Sequence, residues 1–210
     1  MKERPIPFNV EMALAVVEGR KTQTRRVVRG TALEWLQPGV FTPEFVAKPE
    51  NGLSPYGYAG DRLWGREPWR VSQKWNGTAP RDLPVRTMTV MYEAGGHACN
   101  DDNDWAVFDD ISVDAPWIGK YRPAMFMPRW ASRITLEVTG VRIERLQAID
   151  WEDAIAEGIR DPRRAAWRVD PVEGCVAKYR ELWDSLNAAR GHGWDANPFV
   201  WVVEFKRIKQ

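Results

Sequence analysis

The chain is poor in the residues on which much catalysis and metal binding depend. Its 210 residues include two cysteines and two histidines. Cys99 and Cys175 are far apart and in no spaced motif, so they read as thiols in a reducing compartment rather than as a disulfide framework. His97-Ala98-Cys99 is the nearest approach to a metal motif, and His192 is the other histidine. A zinc site needs about four well-spaced ligands, so no metal is expected. The glycines fall in no phosphate-cradling or dinucleotide pattern, and no cofactor is expected either. No apolar run could span a bilayer, and the opening Met1-Lys2-Glu3-Arg4-Pro5 has no apolar signal region. A cytoplasmic protein with no membrane partner is the expectation. Net charge is only +1, so the chain as a whole exerts no strong pull on nucleic acid or anionic membrane.

What is present is a globular composition, 44% apolar and 28% charged. The length suits one large domain able to bury a core without disulfide or metal support. Charge is unevenly spread. Residues 1–30 hold seven Lys or Arg against three Glu, whereas residues 100–115 hold six Asp and no basic residue. That acidic stretch reads as a solvated loop. Twelve tryptophans stand out, several beside Arg, Gly or Pro. Most belong to a core, because indole is large and apolar; one or two are candidates for stacking on a flat base.

Asn9 can cap a short helix with Val10, Ala13, Leu14 and Val17 on its apolar face, closed by Gly19 in a left-handed conformation. In the extended stretch that follows, Thr22, Thr24 and Arg26 share one side, Gln23 and Arg25 the other. Residues 30–60 read as loop with short extended pieces. A turn at Gly60-Asp61 opens a strand, and residues 71–125 read as irregular except for a strand near 87–92. Ile134, Leu136 and Val138 alternate with polar residues and Val141 and Ile143 continue the pattern, with a kink or bulge at Gly140. Asp150 caps a short helix over 151–157, closed by Gly158. A second helix runs roughly over 175–189, and the chain ends in a strand over 199–208 with Phe199, Trp201, Val203 and Phe205 on one face. Strands dominate and no βαβ alternation appears, which predicts an α+β fold: a mixed barrel decorated by helices.

The chemistry concentrates at Lys21-x-x-Thr24, directly after a helix end. A threonine hydroxyl is a poor nucleophile until a base takes its proton. A lysine can be that base if burial and nearby positive charge lower its pKa, and Arg20, Arg25 and Arg26 supply such charge. The same arginines could bind an oxyanion. From spacing alone, a solvated basic turn beside an ordinary strand threonine is the more economical reading.

Glu18-Gly19-Arg20-Lys21-Thr22-Gln23-Thr24-Arg25-Arg26 resembles the signature of ASCH-domain proteins, which are related to the PUA fold. Gly60-Asp61-x-Leu63 resembles that family's next strand start. Leu146 through Ala156-Glu157-Gly158-Ile159 resembles its helix, and Phe199–Lys206 its closing strand. The resemblance implies one ASCH-like mixed β-barrel over residues 1–210, with a loop-rich insertion at about 65–125. Leu63-Trp64-Gly65-Arg66-Glu67-Pro68-Trp69 and Met127-Pro128-Arg129-Trp130-Ala131-Ser132-Arg133 look like the larger family members found in phages and prophages. For such a member the host cytoplasm would be the setting.

A small bacterial member of the family hydrolyses N(4)-acetylcytidine to cytidine and acetate with a Lys, a Thr and a Glu. Carried over by motif, these fall on Lys21, Thr24 and Glu157, with Glu152 and Asp153 as alternatives for the acid. The resemblance thus implies an amidohydrolase acting on the acylated exocyclic amine of a cytosine nucleoside or nucleobase. Candidate substrate-binding residues are Arg20, Arg26, Trp64, Arg66, Glu67, Trp69, Arg129 and Trp130. Other family members bind RNA or DNA, and at least one is reported to cut RNA. A single-stranded nucleic-acid binding module, with or without ribonuclease activity, is therefore the alternative.

Overall fold

The computed structural model of the protein describes residues 1–38, 40–86, 88–101, 104–108, 115–160 and 171–208. The elements begin with β1 (Glu3–Pro7), α1 (Val10–Val17), β2 (Gln23–Val27), α2 (Thr31–Trp35), α3 (Pro43–Val46) and β3 (Arg62–Arg66). They continue with β4 (Trp69–Arg70), β5 (Met88–Tyr92), β6 (His97–Asp101) and β7 (Asp104–Phe108). The last are β8 (Thr135–Arg145), α4 (Trp151–Ala156), α5 (Pro171–Asn187) and β9 (Phe199–Ile208). This is an α+β fold, with strands in two sheets, few helices and long connections built partly of single 3-10 turns. No helix among the described residues is long and apolar enough to cross a membrane.

Among the described residues the chain forms two compact units. The first comprises residues 1–2, 18–62 and 137–206; the second comprises residues 3–17, 63–136 and 207–208.

In the first unit β9 lies between β8 and β2. β2 and β9 are antiparallel, with Thr24 opposite Val203 and Arg26 opposite Trp201. The pattern of β9 predicts one apolar face, yet Val200, Trp201, Val202 and Val203 are all buried. A strand flanked on both edges and covered on both faces reads as a continuous apolar run. Val200 and Val202 pack with Leu146, Ile149, Ala154, Cys175, Tyr179 and Trp183, so α4 and α5 cover one face of β9. β8 runs on through Gly140, where the sequence predicts a kink or bulge. The glycine makes room there: a Cβ would stand 2.6 Å from Glu204 Oε2. In α4, the Asp150 carboxylate accepts from Asp153 N–H at 2.8 Å and so satisfies one of the first-turn donors.

The second unit contains α1, the strands β1 and β3, which lie side by side, and the sheet β4-β5-β6-β7. Asn9 caps α1 by accepting from Met12 N–H at 2.8 Å. The buried residues of α1 are Met12, Ala13, Ala15 and Val16, a face rotated from the one the apolar spacing suggests. Almost every α1 residue is apolar, so the pattern alone cannot choose a face. The core of this unit is Trp69, Val71, Leu83, Met88, Val90, Tyr92, Ala98, Met127 and Ala131. Part of the acidic stretch, read above as loop, is instead the end of β6 and β7, paired antiparallel with Asp101 opposite Asp104. The short apolar run Trp105-Ala106-Val107-Phe108 lies in β7, and the flanking aspartates hide its strand character in the sequence. The rest of that stretch lies outside the described residues.

One backbone approach in this unit is close enough to predict a cost. A Cβ on Gly65 would fall 2.8 Å from Ile134 Cβ, and Ile134 is fully buried. Gly65→Ala is expected to destabilise the protein by about 1–3 kcal/mol, the usual cost of overpacking. A lower urea midpoint at unchanged slope would register it; an unchanged midpoint would contradict it.

Candidate active site

The basic turn before β2 docks on the end of α4. A helix leaves its last carbonyl oxygens without partners, and those of a short helix must be met from elsewhere. Thr22 N–H donates to Ala156 O at 2.9 Å. Lys21 Nζ donates to Glu157 O at 2.7 Å, and Arg20 Nη1 to Gly158 O at 2.8 Å. Three consecutive carbonyls are thus satisfied by three consecutive residues, and two of the donors are cations at the negative end of a helix. On its other side the turn is held by Phe205 N–H, which donates to Thr22 O at 2.8 Å. Gly19 takes φ 75°, the left-handed conformation the sequence predicts for it.

This docking buries Lys21 completely: its side chain has no solvent exposure. Nζ also donates to Glu157 Oε2 at 2.7 Å. Burial pulls the Lys21 pKa below the ordinary lysine value; Glu157 opposes this, while the charges of Arg26 and Arg25 add to it. Of the three acids considered for this role, Glu157 is the one against Lys21. Glu152 is exposed, and Asp153 serves Gln23, Arg25 and Arg142.

Thr24 is also fully buried, and Arg26 Nη1 donates to its Oγ1 at 2.7 Å. Arg26 donates as well to the Arg25 carbonyl at 3.0 Å. A guanidinium on the hydroxyl oxygen lowers the cost of alkoxide character there and leaves the hydroxyl proton free to go elsewhere.

Arg25 projects from the other side of β2 and is 1% exposed. Nη1 donates to Glu157 Oε1 at 3.3 Å, Nε to Glu144 Oε1 at 3.2 Å, and Nη2 to Glu144 and Asp153. Burial works against its charge, but Glu157, Tyr179, Asp153 and Glu144 together raise its pKa above the ordinary arginine value. Arg142, at the solvent side, holds Glu144, Asp153 and Glu204. Opposite charges therefore alternate from Lys21 through Glu157, Arg25 and the Glu144–Asp153 pair to Arg142. Tyr179 of α5 lies under Arg25 at 6.0 Å from ring centre to guanidinium carbon, and burial raises its pKa well above the ordinary phenol value.

In the first unit the structure thus puts Lys21 on Glu157 and Arg20 on Gly158 O at the end of α4, and Arg26 on Thr24, with the Arg26 charge acting on Lys21. Sequence reasoning missed Glu144, Arg142 and Tyr179, and it gave Arg25 only a general role as positive charge. Arg25, a charged residue at an alternating strand position flanked by covered neighbours, was the available signal; a buried arginine needs acids.

The other candidate binding residues lie in the second unit. Trp69 is fully buried in its core, and Trp130 packs on it edge-on, with ring centres 6.4 Å apart. Trp64 is 7% exposed; the guanidinium carbons of Arg66 and Arg129 lie 4.7 and 5.9 Å from its ring centre. Arg66 donates to Met125 O at 3.1 Å, and Arg129 pairs with Glu3 at 2.9 Å. Glu67 is fully buried and takes two hydrogen bonds of 2.9 Å from Arg133. Among the described residues, no group of three His, Cys, Asp or Glu side chains is placed to hold a metal ion.

No protein-family model matches the chain, and no curated protein matches it. Among solved structures it is similar to the ASCH domain from Lactobacillus crispatus JV V101. That likeness has 10% identity over 98% of this chain and 79% of that one, with a TM-score of 0.40.

Proposed function

We propose that the protein is an amidohydrolase that removes the acyl group from the exocyclic amine of an N(4)-acylcytosine nucleoside or base. The observation that carries this reading is the solvent-free contact of Lys21 Nζ with Glu157 Oε2 at 2.7 Å. A lysine in that setting gives up its proton more readily than one in water, and β2, directly after the turn, carries Thr24 with a cation on its hydroxyl. The resemblance of residues 18–26 to the ASCH signature supports Lys21 and Thr24, that of residues 146–159 supports Glu157, and the two together imply the substrate class.

In this reading Thr24 Oγ1 attacks the acyl carbonyl carbon, and its proton passes to neutral Lys21. Arg26 stabilises the negative charge as it moves from Oγ1 to the carbonyl oxygen. The carbon–nitrogen bond then breaks, and Lys21 returns the proton to the departing amine. Water next attacks the acyl-Thr24 ester, again giving its proton to Lys21. Loss of the carboxylic acid returns a proton to Oγ1. The sum is one amide and one water converted to one amine and one acid. Glu157 orients Lys21 throughout.

Purified protein mixed with N(4)-acetylcytidine is expected to lose the acylcytidine ultraviolet absorbance, and Thr24→Ala to abolish that loss without unfolding the chain. No turnover by wild type across a series of acyl groups would remove the proposal. Turnover retained by Thr24→Ala would remove the nucleophile.

A further inference from the structure

The reaction proposed above gives Arg25 no part, yet its buried guanidinium meets three carboxylates of the first unit. We infer that Arg25 is a positioning residue: by holding Glu157 Oε1 it presents Oε2 to Lys21 and so sets both the orientation and the charge surroundings of the lysine. This rests on the proposed reaction for its catalytic meaning, though its physical content stands without substrate.

The geometry carries it in three steps. A carboxylate has two oxygens and rotates about its last bond, so one partner alone leaves the other oxygen free to exchange. Glu157 has both oxygens occupied, Oε1 by Arg25 Nη1 at 3.3 Å and Oε2 by Lys21 Nζ at 2.7 Å. Arg25 in turn cannot swing, because Glu144 from β8 and Asp153 from α4 hold its remaining nitrogens and Arg142 holds both acids. A rigid planar fork fixed on several sides suits this task, and a lysine, with one mobile nitrogen, could not replace it. The groups that face Lys21 are Glu157 at the end of α4 and Arg25 and Arg26 of β2; those that face Arg25 add Glu144, Asp153 and Tyr179.

The second consequence is electrostatic. Arg25 is a permanent positive charge near a buried amine, and like charge disfavours protonation of that amine. Its removal should make Lys21 harder to deprotonate, while a purely structural residue would leave that ionisation where it is.

The test follows the Lys21 ammonium by proton–nitrogen NMR, without substrate, in wild type, Arg25→Met and Arg25→Lys. The Lys21 titration midpoint is expected to rise by about one pH unit in Arg25→Met, at the low end of shifts from a neighbouring charge. In Arg25→Lys the Nζ protons are expected to exchange with water faster than in wild type, since Glu157 can turn. An unmoved midpoint in folded Arg25→Met overturns the inference, and so does wild-type exchange in Arg25→Lys. If Arg25→Met does not fold, the exchange rate in Arg25→Lys decides alone. Turnover is then measured on the same samples, and kcat is expected to fall in both variants with KM nearly unchanged. A wild type that fails to hydrolyse any acylcytidine would sink the proposed reaction and leave the NMR result to stand or fall by itself.

Discussion

Lys21→Met is expected to lower turnover of N(4)-acetylcytidine by about 10²–10⁴-fold, the usual contribution of a positioned general base. Methionine keeps an unbranched stem in a site with no solvent exposure, so packing should survive. Glu157 would not be left bare either, because Arg25 still donates to Oε1. The variant should unfold at a lower temperature, because Glu157 O loses its donor, so turnover is compared on folded protein, where the loss reports missing proton transfer rather than a broken fold. A pH profile separates the two further. The active form of Lys21 is the neutral amine, and burial lowers its pKa from the ordinary lysine value. Wild-type kcat/KM should rise with pH through one ionisation below that value and then level off. The residual activity of Lys21→Met should lack that rise. A variant profile with the same rise would assign the ionisation to another group and end the role of Lys21 as base.

The largest loss of stability is expected from Arg133→Met. Arg133 donates two hydrogen bonds of 2.9 Å to Glu67, and its guanidinium stacks over Tyr92 at 4.0 Å from the ring centre. Both partners of the ion pair are buried, Glu67 completely. Removing one partner of a buried pair leaves the other charge uncompensated, which typically costs about 3–5 kcal/mol. The double variant Glu67→Leu/Arg133→Met should recover most of that, because two well-packed apolar groups need no partner. Urea unfolding of the two single variants and the double variant gives the comparison. Additive losses would show that the pair is not coupled.

The pH dependence of the single variant has a definite sign. Burial already raises the Glu67 carboxyl above the usual carboxylate range, against the pull of Arg133. Without Arg133 the folded protein would hold the Glu67 proton more tightly than the unfolded chain does. Both proteins should therefore lose stability alike as pH rises from the ordinary carboxylate pKa, and Arg133→Met should fall behind wild type by more once pH passes the already raised wild-type Glu67 pKa. An offset that is constant with pH would mean that Glu67 finds another cation, for which Arg207, whose charge already acts on Glu67, is the nearest candidate.

Both expectations turn on groups that sequence reasoning reached to different depths. The sequence by itself determined the secondary structure wherever local chemistry is strong. Asp150 capping α4, Asn9 capping α1, Gly19 in the left-handed region and a final strand over 199–208 are all legible, because caps, positive φ and apolar runs are written in neighbouring residues. It likewise marked Lys21, Thr24 and Glu157 by their resemblance to a family signature. Local pattern did not reveal which faces are covered. β9 is buried on both sides, α1 turns a different face inward, and aspartates mask the strand β7.

Tertiary structure alone decided the company each charge keeps. Lys21 and Glu157 are 136 residues apart, and their contact exists because the end of α4 needs donors that the turn before β2 supplies. The same packing drew Arg25 onto Glu157, Glu144 and Asp153, and buried Glu67 with Arg133. A charge carries no mark in the sequence of whether it will be solvated or paired. That is settled only when folding strips its water and a partner of opposite sign must be within reach.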